Sequence, residues 1–134
     1  MMSFSGVIKE GRAIIYTKWM NKPVFYNPHA EPTRTLGVLF IKSDYIQRGR
    51  ELIVCEPLAA TGVRGIRYFL ESESIDKIFF NDKSRVACKL LIKNIRINGL
   101  SDVAFIGRMD ANIFMLNHMN EFDFIDIDPF GSPS

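Results

Sequence analysis

Four short, largely apolar runs recur through the second half of this chain, and each is followed within a few residues by a carboxylate. Residues 52–55 precede Glu56, 77–80 precede Asn81-Asp82, 103–106 precede Asp110, and 122–127 precede Asp128. An all-apolar run such as Leu52-Ile53-Val54-Cys55 suits a strand covered on both faces. Helical patterns fill the gaps. One spans 63–70, after the small-residue turn Glu56-Pro57-Leu58-Ala59-Ala60-Thr61-Gly62. A second spans 84–98, capped by Ser84, with Val86, Leu90 and Ile97 on one face and Gly99 as its stop. A third, short one spans 111–116. Regular alternation of strand and helix predicts a doubly wound, mostly parallel sheet. Parallel strands end at one edge, and ligands bind there in such sheets. Glu56, Asp82, Asp110 and Asp128 are therefore expected at one crevice. Asp126, two positions before Asp128, is expected on the opposite face in a structural role.

The first fifty residues read differently. Val7-Ile8, a turn at Glu10-Gly11 and Ala13 to Tyr16 predict a β-hairpin. Residues 19–32 are expected to be irregular, broken by Pro23, Pro28 and Pro32. Thr33 is expected to cap a helix to about Gln47, with Leu36, Leu39, Phe40 and Tyr45 or Ile46 near helical spacing and Gly49 as its stop. This segment holds eight basic and three acidic residues, a net of +5, whereas residues 51–134 carry −3. Tyr16, Trp19, Phe25 and Tyr26 lie among the bases. Cations with interleaved rings suit a nucleic acid, although a basic surface over buried aromatics has the same composition.

The acids define what the crevice can hold. The phosphate-binding GxGxxG is absent from the first β–α turn, and Glu56 at its head repels a pyrophosphate. Asp82, 20 residues beyond Gly62, stands where an acid can hold ribose hydroxyls. Asp110 can accept from an adenine amine. An adenosine site without phosphates, facing a cation, points to S-adenosylmethionine rather than to NAD or ATP. Asp128 and the Pro129 carbonyl can accept both hydrogens of a planar amine, and Phe130 offers a ring for a base to stack on. That set suits in-line methyl transfer to nitrogen, with catalysis by positioning and electrostatics.

With those residues in place the chain resembles the archaeal and eukaryotic tRNA guanine-26 N2-dimethyltransferases. The resemblance rests on Val24-Phe25-Tyr26-Asn27-Pro28, Ala60-Thr61-Gly62-Val63-Arg64-Gly65-Ile66-Arg67, Asn81-Asp82, Asp110-Ala111-Asn112 and Asp126-Ile127-Asp128-Pro129-Phe130-Gly131-Ser132-Pro133. It implies a Rossmann-like methyltransferase fold, S-adenosylmethionine as cofactor and tRNA as partner. By position, Asp82 would hold the ribose, Asp110 and Ala111 the adenine, and Arg34 and Arg64 the methionine end. Asp128, Pro129 and Phe130 would grip the target guanine, under an N-terminal segment with Phe25, Tyr26 and Asn27. Thr33-Arg34-Thr35-Leu36-Gly37 departs from the family's usual Asn-Arg-Asp-Leu-Ser. The family continues beyond the point matching Ser134 with the rest of the sheet and a tRNA-binding domain. The resemblance thus implies a basic N-terminal segment over 1–50 and the first part of a class I methyltransferase domain over 51–134.

Two cysteines, Cys55 and Cys88, exclude a disulfide scaffold and a four-cysteine zinc site within the chain, and suit a reduced compartment. No apolar run approaches the ~20 residues of a membrane span, and the first nine residues lack a signal-peptide core. A cytoplasmic protein with no metal is expected. Two other readings remain open from the residues: a methyltransferase for an amine of another nucleic acid, and a non-catalytic RNA-binding fragment.

Overall fold

The computed structural model describes residues 6–118 and 120–128. The hairpin pairs β1 (Val7–Glu10) with β2 (Ala13–Tyr16). A smaller ribbon follows, β3 (Lys18–Trp19) against β4 (Lys22–Pro23). It replaces part of the irregular stretch expected over 19–32. Met20 and Asn21 both take positive φ, 48° and 68°, as a tight primed turn requires, and Pro23 sits at an edge where its missing N–H costs nothing. A single 3₁₀ turn, Pro28–Ala30, is capped by the Asn27 side chain.

Helix α1 (Glu31–Arg48) starts two residues before the expected Thr33 cap, because Pro32 in its first turn presets the helical φ. Its inward face also differs from the apolar spacing in the sequence. Arg34, Gly37, Val38 and Ile41 are buried, whereas Leu36, Leu39, Phe40 and Ile46 are exposed. The helix is turned this way because Arg34 reaches a buried carboxylate and Gly37 lies against Tyr68. A Cβ on Gly37 would sit 2.5 Å from the Tyr68 hydroxyl.

The main sheet then alternates as expected. Its elements are β5 (Leu52–Glu56), α2 (Val63–Ser72), β6 (Ile75–Asn81), α3 (Arg85–Ile97), β7 (Ala104–Gly107), α4 (Ala111–Asn117) and β8 (Phe124–Ile125). All four strands are parallel, in the order β7-β6-β5-β8. The chain builds outward from β5 to β7, then returns to the other side of β5. That reversal creates a crevice between the carboxyl ends of β5 and β8. β8 is shorter than the 122–127 run, although Asp123 N and Asp126 N still donate to β5 carbonyls, at 2.7 and 2.9 Å.

Alternation along β6 divides the core. Ile78 and Phe80 are fully buried toward α2, and Gly65 permits the contact, since a Cβ there would lie 2.4 Å from the Phe80 ring. Phe79 points the other way, stacks on Phe105 at 4.7 Å and meets Phe122 and His118. Ala13, Ile15, Val38 and Ile41 join the sheet residues in one hydrophobic core. No helix among the described residues is long and apolar enough to cross a membrane.

Two asparagines, one turn apart on α3, close the free edge of β2. Asn98 accepts from Ile14 N (2.9 Å) and donates to Ile14 O (2.7 Å). Asn94 does the same with Tyr16 N (2.8 Å) and O (3.0 Å), and also donates to Thr61 O (2.9 Å) in the turn before α2. Asn94 is fully buried, and Ile97, expected on the apolar face, is 40% exposed. Replacing Asn94 by Leu strands buried backbone groups and is expected to cost roughly 2–4 kcal/mol, read as a lower urea midpoint with unchanged slope. Asn98→Leu, at an exposed bond, is expected to cost less than about 1 kcal/mol in the same measurement.

Candidate functional site

The turn after β5 is shaped by its small residues. Gly62 takes φ +85°, and a Cβ there would meet Leu91 at 2.5 Å. Ala60 is also at positive φ, 50°, and its N–H donates to Asp82 Oδ2 at 2.8 Å. The other oxygen of Asp82 accepts from Ser84 N at 2.9 Å, at the start of α3. Asp82 is thus fixed by two backbone donors while only 6% exposed. Asn81 braces the same edge from below. Its amide donates to Pro57 O (3.1 Å) and Met109 O (2.9 Å), and its oxygen accepts from Met109 N (3.2 Å). One buried side chain therefore ties the loops after β5 and β7 to the end of β6.

Two adjoining cavities run along this edge. One, of about 210 Å³, lies beside Asp82, under Val24 and Phe25 and against Val86. The other is lined by Tyr26, Asn27, Arg34, Glu56, Arg64 and Asp128. Phe25 and Ala60 line both, so the two are neighbours along this edge beside residues 25–27, the second holding only about 20 Å³. Asp110 also ends a strand at this edge, and its Oδ1 accepts from Asn112 N (2.9 Å) and Ile113 N (3.2 Å) as the cap of α4. Neither Asp110 nor Ala111 lines the two cavities. Pro129 and Phe130 lie outside the described residues.

Arg64 stands at the far end of the crevice. Its Nε donates to Asp128 Oδ2 at 3.0 Å, and its Nη1 reaches Asp126 Oδ2 and the Tyr68 hydroxyl, each at 3.4 Å. Asp126 therefore faces the same way as Asp128, contrary to the expectation of opposite faces. Residues two apart on an extended strand share a face. The Tyr68 hydroxyl also donates to Asp126.

Arg34 is 3% exposed and is held from the N-terminal hairpin. It donates to both oxygens of Glu10, at 2.8 and 2.5 Å, and to Asn27 O at 2.9 Å. Arg67 and Tyr26 also donate to Glu10, at 3.0 and 2.6 Å. Burial pushes the Glu10 carboxyl up, but the bonds from Arg34, Tyr26 and Arg67 outweigh it and hold it below the usual range. Glu10, Tyr68 and Asn94 have no site role in the sequence reading, and Asn81 enters it only as the neighbour of Asp82. A single acid in a basic segment and an Asn beside an edge Asp are faint signals, and a Tyr or Asn inside a helix gives none.

Glu56 differs from the other acids. It is fully enclosed, accepts from Gly65 N at 3.1 Å, and faces the charges of Asp126 and Asp128. Burial first, then the Asp126 charge, raise its carboxyl well above the ordinary 4.5. Burial, with Glu56 adding to it, also pushes the Cys55 thiol up to about 12, so that thiol is a poor nucleophile.

A parallel sheet with small-residue turn, acid-lined crevice and strand reversal defines the class: a Rossmann-like methyltransferase fold. Comparison with known proteins names the family. The model of the N2,N2-dimethylguanosine tRNA methyltransferase family matches residues 6–134, and the chain belongs to that family. A tRNA (guanine(26)-N(2))-dimethyltransferase of Pyrobaculum calidifontis is 43% identical over 132 residues, 94% of this chain and 36% of the relative. A tRNA (guanine(26)-N(2)/guanine(27)-N(2))-dimethyltransferase of Aquifex aeolicus is 35% identical, over 95% of this chain and 34% of the relative. The structure of Trm1 from Pyrococcus horikoshii in complex with S-adenosyl-L-methionine superposes with a TM-score of 0.76 at 33% identity, over 95% of this chain and 36% of that one. The chain thus spans about a third of the length of the relatives it matches.

The state of Glu56 has a measurable consequence. Its folded-state carboxyl titrates above its unfolded value, so its contribution is present below about 4.5 and lost as pH rises through the folded value. Glu10 and Asp123 are shifted the other way, Asp123 to about 2 mainly by Arg50, and lose their contribution only as pH falls. As pH rises above about 5, Glu56→Gln is expected to gain in Tm relative to the unsubstituted chain, since the amide has no charge to bury. Parallel melting curves across that range would contradict it.

Proposed function

We propose that this chain forms the cofactor site and target-amine end of a cytoplasmic, S-adenosylmethionine-dependent tRNA methyltransferase acting on the N2 amine of guanine-26. The observation that carries the reading is the pair of neighbouring cavities beside residues 25–27, one holding Asp82 and the other Arg64 and Asp128. The donor set fits the cofactor. Asp82, fixed by Ala60 and Ser84, has a rigid carboxylate for vicinal hydroxyls. The turn lacks the glycines and cations that phosphates require, which disfavours a dinucleotide.

S-adenosylmethionine, when bound, supplies a methyl group on a sulfonium. In this reading Asp82 orients the ribose, Asp110 and Ala111 meet the adenine, and Arg34 and Arg64 take the methionine end. A buried, raised Glu56 keeps the pocket floor from adding another full negative charge beside Asp126 and Asp128. Asp128 Oδ atoms and the Pro129 carbonyl accept the amine hydrogens, and Phe130 stacks on the base. Holding both N–H groups concentrates the nitrogen lone pair and aims it, so the contribution is orientation and electrostatics. A stacked guanine offers no in-line approach, so the base must be extruded first. The net +5 of the first fifty residues supports contact with the tRNA backbone.

The test is methyl transfer to tRNA carrying guanosine or inosine at position 26, inosine lacking the N2 amine. The catalyst is a hybrid in which this chain replaces the matching third of the Pyrobaculum calidifontis relative. Methylation is expected for guanosine only, with at least a roughly hundredfold loss in Asp128→Asn. Equal transfer to both tRNAs, or none to guanosine, would overturn the reading.

A further inference from the structure

Tyr68 is among the largest fully buried side chains, yet it lines neither cavity. It lies one turn beyond Arg64 on α2, so both side chains project toward β8 from one helix face. Its ring packs edge-on against Phe124, with centroids 6.2 Å apart. Gly37 of α1 closes over the hydroxyl, at a distance that leaves no space for a Cβ. With Phe124 and Gly37 closing two sides and Arg64 Nη1 donating to the oxygen at 3.4 Å, the phenol gives its proton to the Asp126 carboxylate.

The need for that proton follows from charge. Asp126 and Asp128 share a face, and both stand beside the Arg64 guanidinium. Arg64 Nε is on Asp128 at 3.0 Å, whereas its Nη1 is 3.4 Å from Asp126. Left to Arg64 alone, the better-buried Asp126, 15% exposed against 28% for Asp128, would draw the guanidinium inward. A neutral hydroxyl donor gives Asp126 its closest bond, which leaves Arg64 only a long contact there, Nη1 lying 3.4 Å from both that carboxylate and the hydroxyl.

We infer that Tyr68 is a positioning residue: its hydroxyl occupies Asp126 so that Arg64 stays on Asp128 and holds that carboxylate beside the second cavity. The purpose given to this arrangement rests on Asp128 receiving the target amine; the arrangement itself does not.

The test reads Arg64 directly in the full 134-residue chain. Its Nε–H resonance is assigned by its loss in Arg64→Lys, and its exchange with solvent is measured by NMR. Tyr68→Phe, which keeps the ring packing, is expected to speed that exchange at least about tenfold, as Arg64 leaves Asp128 for Asp126. Adding Asp126→Asn removes the competing charge and is expected to restore exchange to within about twofold of the unsubstituted chain. A purely structural tyrosine would give no such rescue. Unchanged exchange in Tyr68→Phe, or failure of the second substitution to restore it, would overturn the inference. Failure of methyl transfer to guanosine would overturn only the purpose, since the exchange measurement needs neither cofactor nor tRNA.

Discussion

Parallel pairing of β5, β6, β7 and β8 sends every strand's carboxyl end to one edge, and the sequence ends those strands in acids. Gathering like charges in a partly buried crevice is unfavourable unless each is compensated where it stands. The molecule uses a different device for each. Burial keeps Glu56 toward its neutral form. Backbone donors from Ala60 and Ser84 satisfy Asp82. The first turn of α4 satisfies Asp110. Tyr68 and Arg64 divide Asp126 and Asp128 between them. In the proposed function these rigidly held acceptors meet hydroxyls and an exocyclic amine, so the devices that let the edge fold would also serve its ligands.

The same logic explains the N-terminal segment. Glu10 sits at the end of β1, far in sequence from the crevice, yet takes donors from Arg34, Arg67 and Tyr26. Through Arg34 and its bond to Asn27 O, the hairpin fixes the stretch that covers the crevice. Asn94 and Asn98 clamp the other side of that hairpin onto α3. The basic segment is therefore bound to the sheet on two sides, by a buried ion network and by a borrowed strand edge.

Strand and helix alternation, the Ser84 cap and the edge acids are legible in the sequence because each depends on local pattern. Other features depend on tertiary partners and are not. The ribbon at Lys18 to Pro23 is held by two-residue strands, too short for a periodic signal. The face of α1 is set by Glu10 and Tyr68, which outweigh the apolar spacing of Leu36, Leu39 and Phe40. Strand geometry puts Asp126 with Asp128, against the expectation of opposite faces. The grouping of Arg34, Arg64 and Asp128 needed contacts across gaps of thirty residues or more, which spacing alone does not carry.

The claim that Asp82 anchors one end of a cofactor crevice is tested most directly by calorimetric titration of the chain with S-adenosylhomocysteine, beside Asp82→Ala, with circular dichroism confirming that both are folded. Saturable one-site binding, weakened at least about tenfold by the substitution, is the expected result. A folded chain that does not bind, or that binds equally well without the Asp82 carboxylate, would contradict it.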